Sequence, residues 1–276
     1  MNQPIRPDMP QVPFGPYTIS RLILGSNPCN AISHLSRFLD NQMRRYFTQE
    51  RILELLWRAQ GLGINTWQAT AVNLDVLRAF REQGGKMQFI SLAQETDKDP
   101  HLVRRLADAG AIAIAHHGGV TDSLWKQGRI NEVREFCKKV RDSGAMVGVS
   151  MHMPVVLDHV LDEGWDVDFF MCCLYQVTRS EQDIKTIMPN PPEPPKKVFL
   201  AGDPARMLAA IRRSDKPCLA FKLLAAGRLC EDQVQVEQAF ASTLGQIKAT
   251  DAVIVGMYPE YEDQAALNAA YVRKYG

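Results

Sequence analysis

An α/β fold, a single (β/α)₈ TIM barrel, is what this sequence predicts, and three observations predict it. Eight short apolar runs recur along the chain, each followed by an amphipathic stretch of helical period. The runs are nearly continuous rather than alternating, as strands are in a parallel sheet covered on its outer face. Eight such units within 276 residues match a barrel of this class, typically about 250 residues long. A doubly wound open sheet is the alternative, but no GxGxxG follows the first strand.

Taken in order, residues 1–17 (MNQPIRPDMPQVPFGPY) are a proline-rich extended segment, and 18–276 form the barrel. The first strand is SRLILGSN (20–27), and TQERILELLWRAQGLG (48–63) follows as a helix with a Thr cap and a Gly stop. INTWQAT (64–70) precedes the helix 73–85, and KMQFISLAQE (86–95) precedes the helix 100–110. AIAIAHH (111–117) leads to the helix 131–144, and AMVGVSMH (145–152) to 154–164. DVDFFMCCLY (166–175) precedes 203–214, PCLAFKLL (217–224) precedes 230–247, and AVIVGMY (252–258) precedes the closing helix 261–275. Three connections, 28–47, 118–129 and 176–202, read as long loops. All follow strands and so belong to the carboxyl-terminal face, where barrels build their sites. The last contains MPNPPEPPKK, a stiff segment expected to run extended.

Composition narrows the function. A net charge of +1 and a pI near 7.6 argue against a nucleic-acid or membrane-surface protein. No apolar run approaches the ~18 residues of a transmembrane helix, and the N-terminus lacks the apolar core of a secretory signal. Six scattered cysteines without a CxxC pair read as reduced thiols, so a cytoplasmic location is expected; a small-molecule substrate is expected from the polar groups at the barrel mouth. Nothing in the sequence decides the oligomeric state.

Side chains alternate along a strand, so each strand has two phases. In five strands one phase is small: Gly25 and Asn27; Ser91, Ala93 and Glu95; Ala111, Ala113, Ala115 and His117; Gly148, Ser150 and His152; Cys218, Ala220 and Lys222. If the small phase faces the barrel axis, each ends in a polar group at the mouth. Asn27, Glu95, His117, His152 and Lys222 then converge, while His116 faces outward or caps the following loop. Glu95, His117, His152 and Lys222 form the candidate catalytic set. Cys172 and Cys173 lie near the same level.

The chain also resembles a known family. ISRLILGSN followed by a helix and then AQGLGINTWQAT is similar to the opening of the NADP-linked aldo-keto reductases, MVGVSMHMP to their fifth strand, and AVIVGMYPEYEDQAALNAA to their eighth strand and last helix. The resemblance runs from residue 18 onward. It implies a TIM barrel with an NAD(P)H site at its top face. Gly256, Met257, Tyr258, Gln264 and Asn268 match the segment that holds the adenosine phosphate, and Asn27 at the mouth joins them as a cofactor-binding candidate. The catalytic pattern departs from the family. Gln68 or Ala69 stands where an Asp is expected, VNLD replaces the loop that carries the Tyr, and ISLAQE replaces the strand that carries the Lys. A histidine ending strand four, His116 or His117, is retained.

Three mechanisms and one non-catalytic reading remain open at the level of sequence. A divergent reductase of small carbonyl- or sugar-like metabolites would donate protons from His117 with Glu95 as partner. A metal-dependent isomerase, lyase or hydrolase would hold Zn, Mn or Fe on Glu95, His117 and His152, supplemented by Cys173. Lys222, flanked by Phe221 and Leu223, would form a Schiff base, with Glu95 or His152 as general base and Arg228 in KLLAAGR taking a phosphate or carboxylate. The remaining reading is a barrel that binds a metabolite or partner without chemistry.

Overall fold

In a computed structural model, which describes residues 8–94, 99–188 and 197–276, the chain opens with a hairpin. Strands β1 (Gln11–Phe14) and β2 (Tyr17–Ser20) pair antiparallel. Gly15, at φ +55°, begins the two-residue Gly-Pro turn between them, the positive φ that a tight hairpin turn asks of its first central residue.

The barrel strands follow: β3 (Leu22–Gly25), β4 (Thr66–Ala69), β5 (Gln88–Ala93), β6 (Ala111–His116), β7 (Met146–Met151), β8 (Phe169–Cys173), β9 (Cys218–Phe221) and β10 (Ala252–Gly256). All eight pair in parallel with their sequence neighbours, and β10 closes on β3. The helices are α1 (Arg37–Tyr46), α2 (Gln49–Gly61), α3 (Leu74–Glu82), α4 (Leu102–Asp108), α5 (Gly118–Lys126) and α6 (Asn131–Asp142). They continue as α7 (Pro154–Asp162), α8 (Glu181–Ile187), α9 (Asp203–Arg213), α10 (Gln233–Leu244) and α11 (Gln264–Tyr275). Capping follows the sequence locally: the Thr48 hydroxyl accepts from the Arg51 N–H and Ser36 from the Leu39 N–H. No helix among the described residues is long and apolar enough to cross a membrane, and all six cysteines are free.

Two expectations are corrected. The connections expected as long loops carry helices instead: α1 within 28–47, α5 within 118–129 and α8 within 176–202. The second correction concerns which phase faces the axis. Ala113, Ala115, Gly148 and Ser150 point inward as expected, but in β5 and β9 the bulky residues do so. Ile90 and Leu219 lie in the inner cluster with Leu92 and Phe221 beside it, whereas Ala93, Cys218 and Ala220 pack under the helices.

A barrel axis needs large groups opposite small ones to reach close packing. The ring of Phe169 illustrates this: a Cβ on Gly148 would lie 2.2 Å from it. A bulge adds to the phase change. The register jumps from Phe89↔Ala111 to Ile90↔Ala113, leaving Ile112 extra.

The hairpin closes the amino-terminal end of the barrel. Val12, Phe14 and Ile19 join Ile23, Ile90, Met171, Leu219 and Ile254 in one buried cluster, and Phe14 meets Phe169 edge-on at 4.9 Å.

Candidate functional site

The carboxyl-terminal mouth is left open by this plug, and its chemistry begins with the two histidines after β6. His116 is buried and turns outward. Its Nδ1 lies 2.8 Å from the Thr121 hydroxyl, and its ring meets Phe136 of α6 edge-on at 4.9 Å. Thr121 donates its one proton to the His117 carbonyl at 3.2 Å, so it accepts from the His116 Nδ1–H. Burial, aided by the neighbouring His117, pushes His116 down to about 4, and it stays neutral. It is a structural histidine. His117 caps α5 and is exposed at the mouth. Partial burial and then the charges of His152 and Lys197 hold it below its ordinary value.

His152 is oriented by a residue that sequence reasoning missed. The Asp122 carboxylate, wholly buried in α5, lies 2.9 Å from His152 Nδ1 and accepts the His152 backbone N–H at 3.1 Å. It also accepts from the Thr178 hydroxyl at 2.8 Å. A carboxylate only accepts, so Nδ1 carries the proton and Nε2 keeps a free lone pair. Glycine 118 lets α5 come this close, because a Cβ there would lie 2.8 Å from Ser150 Oγ and 3.1 Å from His152 Cε1. The signal in sequence was the HHGGVTD stretch itself, where two glycines bring an Asp back over the end of the next strand.

Lys222 reaches the mouth although its strand runs in the other phase. The chain leaves β9 with Lys222 at φ +62°, followed by Ala225 at +49° and Ala226 at +53°. Such left-handed non-glycine residues cost about 1–3 kcal/mol each, and three of them in one connection turn the lysine back over the barrel. Burial, with Lys197 and Arg228 adding to it, lowers the ammonium to about 8. Cys173, on β8 and fully buried, is pushed up to about 12 and stays a thiol. Both reactive groups neighbour Phe221: its ring is 6.0 Å from Lys222 Nζ and 5.7 Å from the His152 ring.

Beside Lys222 lies a cavity of about 370 Å³, the size of a small-metabolite site. Asn27, Gly256, Tyr258, Gln264 and Asn268 line it, as do Lys222, Phe221 and His34; His152 is not a lining residue but abuts Phe221, which is. Met257, the other cofactor-binding candidate, is packed in the layer under the helices. The Gln264 carbonyl is engaged by the Tyr258 N–H at 2.8 Å, and Asn268 faces the cavity at 4% exposure. Glu95 lies outside the described residues. Among those described, no group of three His, Cys, Asp or Glu side chains gathers into a metal-sized cluster. The structure also brings in His34, which sequence reasoning did not single out; burial, with Lys222 and Lys197 near it, pushes it to about 3.

No protein-family model matches the sequence, and no curated protein does. Solved structures do. The truncated form of 3-deoxy-D-arabino-heptulosonate 7-phosphate synthase from Thermotoga maritima is similar at a TM-score of 0.54 and 13% identity, covering 97% of this chain and 91% of that one. An aldo-keto reductase from Bacillus halodurans, in its holo form, reaches 0.55 at 12% identity, covering 96% and 90%. The 3-hexulose-6-phosphate synthase from Salmonella typhimurium reaches 0.50 at 16%, covering 92% and 97%. These likenesses establish the TIM-barrel fold, with the aldo-keto reductases as one of several groups sharing it.

Proposed function

We propose that this chain is an enzyme of small carbonyl- or sugar-like metabolites, working as a lyase through the amine of Lys222 with His152 as general base. The observation that carries this reading is Lys222 itself: an amine held by strained backbone at a small cavity, half-buried, and lowered to about 8. About one such lysine in ten is neutral at pH 7, enough to act as a nucleophile.

The amine lone pair adds to the substrate carbonyl carbon, and the π pair moves to oxygen, which leaves as water after taking two protons. The resulting protonated imine is an electron sink. His152 Nε2 removes the proton of a hydroxyl on the β-carbon, the bond between the α- and β-carbons breaks, and its pair passes into the imine to give an enamine. Reprotonation and hydrolysis return Lys222 and release the second carbonyl product. Asp122 is a positioning residue that holds the imidazole with Nε2 free.

The same imine and base must exchange the α-hydrogens of a bound ketone with solvent. Proton NMR of dihydroxyacetone and its phosphate in D₂O tests this. Wild type accelerates exchange of at least one of them, while Lys222→Arg and His152→Ala do not. Exchange that persists in Lys222→Arg, or none with wild type, would overturn the lysine reading.

A second reading, a reductase using NAD(P)H, is supported by one observation: Asn27, Gly256, Tyr258, Gln264 and Asn268 line one cavity. The fit is poor at the strand-eight end, where Glu262 also lines the wall and Gln233 is bound to it. An anionic phosphate there would face a carboxylate. NADPH fluorescence that changes on mixing with wild type and not with Asn268→Leu would favour this reading; no change would remove it.

A further inference from the structure

Building on that lysine reading, we propose that the substrate carries a phosphate monoester, held at the mouth by Lys197, Arg228 and His34 while its carbonyl lies at Lys222. These groups come from three separate connections and close on one another. Lys197 Nζ lies 3.1 Å from His34 Nδ1, and an ammonium can only donate, so Nδ1 accepts. Arg228 Nη2 donates to the His34 carbonyl at 3.3 Å and Nη1 to the Ala225 carbonyl at 3.1 Å. The guanidinium carbon lies over Phe199, 3.9 Å from the ring centroid. That contact and the two carbonyl bonds hold the fork in place and leave further N–H groups for a ligand.

Among the described residues, charge is left uncompensated here. Several other half-buried or clustered cations are paired: Arg141 with Asp166 and Asp168, Arg179 with Asp203, and Arg213 with Asp158 and Asp162. Lys197, Lys222 and Arg228 form no ion pair with any described carboxylate. The described acids nearby are engaged: Asp40 by the Ser33 N–H at 2.8 Å and hydroxyl at 2.6 Å, Asp122 by His152, Asp203 by Arg179, and Glu262 by the Gln233 amide at 2.8 Å. Gathering like charges without a counter-charge costs free energy, which a bound anion recovers. A dianion offsets Lys197 and Arg228 together, whereas a carboxylate leaves one charge standing. A phosphate also offers oxygens in several directions, as donors from separate loops require, rather than one planar edge.

Isothermal titration of the whole protein with inorganic phosphate tests the site. Wild type binds phosphate at least about tenfold more tightly than acetate. Lys197→Gln and Arg228→Gln each weaken phosphate by about tenfold, the loss of one charge-assisted contact, at an unchanged unfolding temperature. Lys222→Arg keeps a positive charge but cannot form the imine, and it still binds phosphate. Failure of the imine chemistry and failure of the phosphate site are therefore separable. Glyceraldehyde 3-phosphate distinguishes an esterified phosphate from the free ion: it binds more tightly than inorganic phosphate, which competes with it. No phosphate binding by wild type, acetate binding as tightly, or phosphate binding unmoved in both the Lys197 and Arg228 variants would overturn the proposal. So would an ester that binds no better than phosphate itself.

Discussion

Asp122 illustrates how one buried carboxylate can decide what a neighbouring histidine does. It takes three donors, the His152 backbone N–H, the imidazole Nδ1–H and the Thr178 hydroxyl, and none is solvent. Replacing it by Asn keeps the shape but allows an amide N–H to face Nδ1, which favours the tautomer with no lone pair on Nε2. Asp122→Asn is expected to lower turnover by about 10²–10⁴, to leave KM within a few-fold, and to change the acidic limb of the pH profile. A merely structural role would leave that profile in place. His117 and His152 were legible in sequence because they continue the inward phase of β6 and β7, so alternation along the strand points to them, whereas Lys222 continues the outward phase of β9 and reaches the mouth only through the positive-φ turn that follows. Asp122, His34 and Lys197 were not legible, because each arrives from a different connection, and no short-range pattern encodes which loops meet.

At the scale of elements, the eight strands and their helices could be read from apolar runs and caps, whereas the facing of individual strands could not. Small residues in β6 and β7 point inward because Phe169 and Ile90 need the space; in β9 the small residues point outward for the same packing reason. Alternation gives two phases, and only the neighbours decide between them. Gly148→Ala puts a methyl into the Phe169 ring and is expected to destabilise by about 1–3 kcal/mol, measured by urea unfolding. Phe14→Ala opens a void under the barrel floor and should cost about 3–5 kcal/mol with the fold retained by circular dichroism. Stability unmoved by Phe14→Ala would mean that the hairpin does not plug the barrel.

Across the whole molecule, the half-buried amine of Lys222 ties stability to pH. Its ammonium titrates near 8 in the folded chain, against an ordinary value of 10.5. Between those values the unfolded chain binds more protons, so this group makes stability rise with pH across the window from about 8 to 10.5. Below it, where the ammonium is charged in both states, burial costs up to about 3 kcal/mol. Lys222→Met is therefore expected to be more stable than wild type at pH 7, with the difference shrinking as pH approaches 10.5. Equal stability at both pH values would show that the amine is solvated.

The most direct measurement of the central claim is borohydride reduction of wild-type protein in the presence of small aldehydes and ketones, phosphorylated and not, followed by mass analysis of the intact chain and its peptides. The account predicts one stable adduct per chain, located on Lys222, forming faster as pH rises through about 8 and absent from Lys222→Arg. Adducts spread over surface lysines, or none at Lys222 with any of the carbonyl compounds, would contradict it.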